Sequence, residues 1–428
     1  MKAAIIFHRL GPYHFARLCA AGRQLPVVAV ETSGRDETYA WEKVAGADGF
    51  GRVTLFENAD AQRQSKSEVA RRMAVTLDKI QPRVVVVPGW ADAAALAAIR
   101  WSMEQRIPVV CMSESTEWDS KRRVWSEELK RRVVGLCSAA LVGGTPHKDY
   151  MVRLGMPAER IFLGYDAVDG EYFASEAQRA RSEEQETRAK YGLPENYFLA
   201  SARFIEKKNL PRLLKAFSRY RELSAKRQAE SAKSEAESGK RKAESTSPRP
   251  SPQSGEGVAL WDLVLLGDGE LRPALTALRS ALGLDACVHL PGFKQYPDLP
   301  AYYGCAKAFI HASTTEQWGL VVNEAMASGL PVLVSNRCGC AQDLVQEGVN
   351  GFTFDPHNVE EMAQLMLRIS DFRFPISEFG DASRKIIANW GPERFASGLK
   401  AAVEKALAAG AAKASPIQRV ILRSLMMK

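Results

Sequence analysis

Two successive series of short apolar runs, each interleaved with helix-patterned stretches, constrain the fold of this chain more than any other feature. The first series falls at 3–7, 26–30, 83–87, 108–112 and 139–142, with helical periodicity at 67–80 and 91–105. A polar stretch at 175–190 interrupts it, and the pattern then restarts. The second series gives extended runs at 197–202, 262–266, 288–290, 308–311 and 331–335, with helical patterns at 210–222 and 270–282. Strands separated by helices run parallel, because each helix carries the chain back to the start of the next strand. At 428 residues the chain is also too long for one ordinary core. The pattern therefore predicts an α/β protein of two Rossmann-like, doubly wound domains, at 1–180 and 190–395, joined near 175–195. The tail at 396–428 has apolar residues at 417, 420, 421 and 425, with Arg419 and Arg423 on another side. It suits a helix crossing back to the first domain, and a membrane-surface helix is the other reading. Ligands in such sheets bind beyond the carboxyl ends of the strands, so a cleft between the domains is the expected site.

Residues 225–257 break the second series. They hold no aromatic residue and no Leu, Ile, Val or Met, so they cannot bury enough apolar surface to offset the entropy of ordering. A disordered surface insertion is expected there, stiffened by Ser247-Pro-Arg-Pro-Ser-Pro252.

Lysine and arginine exceed the acids by 58 to 50, a net charge of +8. That suits anionic ligands or an anionic lipid surface. It is far below what a nucleic-acid-binding tail carries, so no nucleic acid is expected as a partner. Of the seven cysteines only Cys338 and Cys340 are close, and no second Cys or His cluster completes a zinc site. Reduced thiols in the cytoplasm are the simplest account. The opening apolar run is too short for a signal peptide, and no run approaches the roughly 20 apolar residues that span a bilayer. A cytoplasmic protein is expected, with a peripheral seat on the inner face of the membrane left open.

The densest chemical signal lies at 310–332. A strand ends near Ala312, a polar loop holds Ser313, Thr314, Thr315 and Glu316, and a helix runs from near Gly319 to Ser328 before Gly329 and Pro331 end it. The first amides of that helix, at Gly319, Leu320 and Val321, face outward with the positive end of the dipole behind them, where a diphosphate fits. Glu316 and Glu324 flank this anion site. Ionised carboxylates suit it only as acceptors for sugar and ribose hydroxyls. In the second motif, Arg203 and Lys208 leave the end of the 197–202 strand five residues apart. They can bracket a diphosphate, Arg203 as a fork and Lys208 as a point charge, with Lys207 as the competitor.

Together these segments resemble the E-x7-E signature of family 4 retaining glycosyltransferases, which have the GT-B architecture of two Rossmann-like domains facing a cleft. The likeness covers about residues 195–395, including Gly267-Asp-Gly269 and Asn350-Gly351-Phe352. It implies that Glu316 contacts the transferred sugar and Glu324 the ribose. It implies that Arg203 and Lys208 act on the diphosphate, and that Phe293 lies beside the base. The implied activity is transfer of a sugar from a UDP- or GDP-sugar to a hydroxyl of a glycan or lipid-linked acceptor, with retention, in surface polysaccharide or glycolipid assembly. The nucleotide-sugar is then a substrate, and no cofactor is expected. No Asp-x-Asp motif occurs, so no metal is expected either. One departure stands out: Asp343 occupies the family's usual Glu position after Cys338-Gly-Cys340, which puts a sugar contact from that loop in doubt.

The N-terminal half says less. His14, in Gly11-Pro-Tyr-His14, faces the cleft or packs in a turn. Glu114 and Asp119 follow a strand and could position an acceptor hydroxyl or replace a cleft histidine. Gly164-Tyr-Asp-Ala-Val-Asp169 resembles the family's domain junction. The basic stretch 121–132, with Trp125 and Leu129 four apart, is a solvated face or a contact with anionic membrane. His8-Arg-Leu-Gly-Pro-Tyr after the first strand is not G-x-G-x-x-G, which rules out a dinucleotide dehydrogenase. A sugar-nucleotide epimerase and a catalytically silent sugar-nucleotide-binding protein remain as alternatives.

Overall fold

In the computed structural model, which describes residues 2–34, 44, 46–243 and 260–427, the two series of apolar runs become two parallel sheets. The first is seven-stranded in the order β3-β2-β1-β4-β5-β6-β7. Its strands are β1 (Ala3–Phe7), β2 (Val27–Ser33), β3 (Gly51–Phe56), β4 (Val84–Pro88), β5 (Val109–Ser113), β6 (Ala139–Val142) and β7 (Ile161–Leu163). Ile5 pairs with Ala29 on one side and Val86 on the other. Both faces are covered by helices, so β1, β4 and β6 are apolar along their whole length. The second sheet is six-stranded, β10-β9-β8-β11-β12-β13. It comprises β8 (Tyr197–Ser201), β9 (Asp262–Leu266), β10 (Val288–Gly292), β11 (Ala308–His311), β12 (Val332–Ser335) and β13 (Gly351–Phe354).

The expected domain joint is corrected. The stretch 175–190 is not a linker but lies in two helices, Gly170–Ser182 and Glu184–Tyr191. Phe173, Ala177 and Ala180 form an apolar edge at helical spacing beneath a mostly solvated surface, which is why the composition reads as polar. That edge packs on the helix Leu299–Cys305, close enough that a side chain at Gly304 would strike Ala177. The crossing from the first domain therefore comes earlier, at 164–169.

The chain crosses back through the helix Pro392–Ala409. Its buried Phe395, Leu399, Ala402 and Val403 join the core formed by Ile5, Leu18, Val86 and Leu141. The tail is a helix, Pro416–Met427, that packs on three N-terminal helices, Lys66–Ile80, Ala93–Gln105 and Val124–Val134, with Leu422 buried.

The insertion is corrected in part. The helix Leu210–Ala243 runs unbroken through the first half of 225–257, and 244–257 lie outside the described residues. The early turns bury Leu213, Leu214, Phe217 and Tyr220 and nucleate the helix. The Ala, Glu, Lys, Arg and Gln residues that follow are strong helix formers and extend it without needing a core of their own. Arg227 anchors that extension by pairing with Asp371. Among the described residues no helix is long and apolar enough to cross a membrane.

Candidate active site

β11 delivers His311 to the cleft, and the loop after it is pinned at both ends. Asn209, in the left-handed conformation at φ 59°, is buried and donates its side-chain amide to Ala312 O (3.0 Å) and Pro356 O (2.7 Å). The Thr314 amide donates to Lys207 O at 2.9 Å. The Glu316 amide donates to Arg337 O, and Glu316 O accepts from Gly339 N, both at 3.1 Å. The Glu316 carboxylate is then met by Lys208 Nζ, which donates to Oε2, and by His311 Nε2 at 3.3 Å. Burial pushes the Glu316 carboxyl up. The Lys208 ammonium and the His311 hydrogen bond outweigh that and hold it far below the usual carboxylate range. Burial pushes the His311 imidazole down. The site therefore holds an ionised Glu316 matched to Lys208. Lys208 makes the ion pair with Glu316, while Lys207 lends its backbone carbonyl to the loop. Arg203 is half-buried in the loop after β8.

Gly319, at φ 108°, starts the helix Leu320–Ala327; the positive φ favours glycine there. The first turn carries no acid and no side-chain cap. A Cβ at Gly319 would lie 3.5 Å from the Glu316 side chain, so helix start and carboxylate adjoin. Trp318 sets the angle of entry. It is buried, donates to Asn323 Oδ1 at 2.8 Å, and packs on Trp390 (5.2 Å between ring centres) and His147 (5.7 Å).

Glu324, on the same helix, is fully buried. Tyr303 donates to Oε2 at 2.6 Å, and Tyr13, from the opposite domain, donates to Oε1. Burial raises the Glu324 pKa to about 7, against the pull of the two phenols. Phe293, just past β10, is 38% exposed.

The N-terminal residues divide. His14 does not face the cleft as a free group. Its Nδ1 accepts from Gly11 N at 3.2 Å at the start of the helix Pro12–Gln24, its ring packs on Phe7, and burial with the nearby Arg17 lowers its pKa to about 3. Asp119 closes its own turn, accepting from Thr116 N (3.2 Å) and Arg122 (2.6 Å). Glu114 does reach the cleft. Burial raises its pKa, and its charge and that of Glu316 act on one another. Behind it stands Asp166, 1% exposed, with Arg17 at 4.0 Å. Asp343 reaches across to the N-terminal domain. It accepts from Thr145 N (2.8 Å) and Thr145 Oγ1 (2.6 Å), capping the N-terminal domain's helix Thr145–Arg153 from across the interface. Half of the six basic residues of the stretch 121–132 pair with nearby acids: Arg122 with Asp119 and Glu127, Lys130 with Glu127, Arg132 with Glu128. Among the described residues no group of three or more His, Cys, Asp or Glu is placed to hold a metal ion.

Residues 259–384, which carry Glu316, Glu324 and the helix Leu320–Ala327, match the family model described as glycosyl transferases group 1. The match lies within the C-terminal domain and covers less than a third of the chain. An uncharacterized glycosyltransferase of Haemophilus influenzae is 33% identical over 136 residues, 32% of this chain and 38% of that protein. The alpha-monoglucosyldiacylglycerol synthase of Acholeplasma laidlawii is 33% identical over 107 residues, 25% of this chain and 26% of the synthase. The chain thus aligns with less than half the length of each of these curated relatives. The whole two-domain fold is shared with the crystal structure of Anabaena HepE in complex with UDP and glucose. There the TM-score is 0.65 at 16% identity, covering 94% of this chain and 98% of that one.

Sequence reasoning missed the partners of the two acids: Tyr13 and Tyr303 on Glu324, and His311 on Glu316. His311 carried a signal, as the last residue of a strand that ends at the cleft. Tyr303 carried none, since an aromatic in an apolar helix reads as core.

Proposed function

We propose that this glycosyltransferase moves a hexosyl group from a UDP- or GDP-sugar to a hydroxyl of a glycan or lipid-linked acceptor, with retention, in surface polysaccharide or glycolipid assembly. The observation that carries the reading is the meeting of Glu316, Lys208 and the start of the helix Leu320–Ala327 at one point of the interdomain cleft. The UDP held by Anabaena HepE supports a uridine donor.

In this reading the bond from the anomeric carbon to the diphosphate oxygen breaks as the acceptor oxygen bonds to that carbon from the same face. The leaving diphosphate gains negative charge, which Arg203, Lys208 and the amides of Gly319, Leu320 and Val321 receive. The acceptor proton passes to a phosphate oxygen. The sugar centre becomes oxocarbenium-like, and the ionised Glu316 orients its hydroxyls. Glu324 takes the ribose hydroxyls and Phe293 flanks the base. The helix start and the two cations do the work that a metal ion does elsewhere, so activity should survive chelators. The test is the anomeric proton coupling of the first-formed product by NMR. An α-donor giving a β-product would overturn the mechanism.

A peripheral seat on an anionic membrane belongs to the same proposal. Val124 and Trp125 are 91% and 62% exposed, next to Lys121 and Arg123, and the tail helix that packs beside them exposes Ile417 and Val420. Sedimentation with phosphatidylglycerol vesicles, compared for wild type and Trp125→Ala, tests it; equal recovery with and without vesicles would discount it.

A further inference from the structure

A cavity of about 220 Å³ opens at the carboxyl ends of β4 and β5, apart from the groups assigned to the donor. Trp90, Ser113, Glu114, Ser115 and Tyr165 line it from the N-terminal domain, and Gln317 closes it from the C-terminal one. Gln317 follows Glu316 directly, and its carbonyl is held by His147 Nε2 at 2.8 Å. The cavity therefore sits where the transferred sugar meets whatever lies on the N-terminal domain.

Taking the glycosyltransferase reading above as given, we infer that this cavity is the acceptor subsite and that its occupant is a single hexopyranoside ring. The size fits. At about 30 Å³ per water in the liquid, the space amounts to about seven waters. That is room for one sugar ring, and what favours a ring over the glycerol backbone of a diacyl lipid is the chemistry of the lining. The chemistry fits as well. Trp90 supplies a flat apolar face, fixed by its contact with Tyr150 at 6.5 Å between ring centres, on which the C–H face of a pyranose packs. Opposite that need, Glu114 offers carboxylate oxygens, and Ser115 and Gln317 offer neutral polar groups, for the ring hydroxyls. Burial raises the Glu114 pKa, while the nearby Arg17 pulls it down. A hydroxyl presented there lies on the Glu316 side of the cleft, and Glu114 and Glu316 feel each other's charge.

The probes are the octyl glycosides of glucose, galactose, mannose and N-acetylglucosamine, against dioleoylglycerol in phosphatidylglycerol vesicles, each with the UDP- or GDP-sugar from which the protein releases nucleotide. Wild type should transfer to at least one octyl glycoside. Trp90→Ala should raise the KM for that glycoside about tenfold or more, while the donor KM and UDP affinity stay within about twofold. Trp90→Phe should restore most of the loss. Ser115→Trp, which fills the cavity, should abolish transfer with UDP affinity retained, and that retained affinity certifies that each variant is folded. Transfer to dioleoylglycerol alone overturns the inference. So does nucleotide release into water with no octyl glycoside accepted, or an acceptor KM unmoved by Trp90→Ala. Failure to release nucleotide from any donor, with or without acceptor, would instead sink the glycosyltransferase reading itself.

Discussion

Replacing Tyr13 with phenylalanine should loosen the fold and tighten the grip on nucleotide. Glu324 is fully buried, and the hydrogen bonds to its carboxyl come from Tyr303 and, across the cleft, from Tyr13. If Glu324 is the ribose acceptor, the Tyr13 hydroxyl stands where a ribose hydroxyl must bond, and nucleotide binding has to displace it. A hydrogen bond to a charged group is worth about 1.5–3 kcal/mol. The ligand-free Tyr13→Phe protein should lose about that much stability. At about 2 °C per kcal/mol for domains of this size, its melting point should fall by about 3–6 °C. The same term no longer opposes the ligand, so UDP or GDP should bind up to about ten- to a hundredfold more tightly, at about 1.4 kcal/mol per decade. Thermal melting without ligand and calorimetric titration with UDP and GDP measure the two halves separately. A drop in nucleotide affinity would mean that Tyr13 holds the nucleotide instead of excluding it. Unchanged affinity would refute the placing of the ribose at Glu324.

Three further outcomes follow from the same geometry. Glu316→Gln should leave UDP affinity within about threefold but lower transfer by at least about a hundredfold, the scale of losing one group that acts on developing charge, read by product formation at saturating donor. Asp343→Ala removes the cap of the helix Thr145–Arg153 and should cost about 1–2 kcal/mol by denaturant titration, with UDP affinity nearly unchanged because that carboxylate faces the other domain. The two acids should pull stability in opposite directions with pH. Burial raises the Glu324 pKa from 4.5 in the unfolded chain to about 7, so its contribution is full below pH 4.5 and lost as pH rises to about 7. Glu316 is depressed, so its contribution is present above pH 4.5 and lost as pH falls below it. Melting of Glu324→Gln and Glu316→Gln against pH checks both signs, and a melting curve whose neutral limb is unmoved by Glu324→Gln would count against the burial argument.

The grouping of Glu316, Lys208 and the helix start was legible in the sequence because its parts lie on two short segments. Glu316, Gly319 and Glu324 share one strand–loop–helix unit, and Arg203 and Lys208 share one loop, so spacing alone brings each group together. The sheet orders could not be read in the same way, but the strands could wherever burial on both faces makes a run continuously apolar. β3 escaped notice because its first four residues alternate in exposure at the sheet edge, and β7 because it has only three residues. The helices at 170–191 escaped because their apolar edge relies on Ala177 and Ala180, which composition hardly registers. What failed altogether was pairing across the cleft. Asp343 on Thr145 and Tyr13 on Glu324 depend on how two separately coded domains meet, and neither local periodicity nor motif spacing contains that distance. His14 stayed open between cleft and turn for a local reason: an imidazole can satisfy an amide at its own helix start, as it does here, and no pattern separates that from one facing a ligand.

The returning helix Pro392–Ala409 bears on how the molecule is made. Phe395, Leu399, Ala402 and Val403 fill the space behind β1, β4 and β6, yet they emerge from the ribosome after every strand of both sheets. Domains generally fold in the order of their synthesis. Here the order is inverted. The C-terminal domain has its whole sheet and its covering helices available once Trp390 is out, whereas the N-terminal domain stays an incomplete core with an open apolar face until residues 392–409 arrive. A ribosome stalled before residue 392 would therefore display a folded C-terminal domain tethered to an N-terminal domain still exposed to chaperones and proteases, and the cleft would close only once the returning helix has emerged.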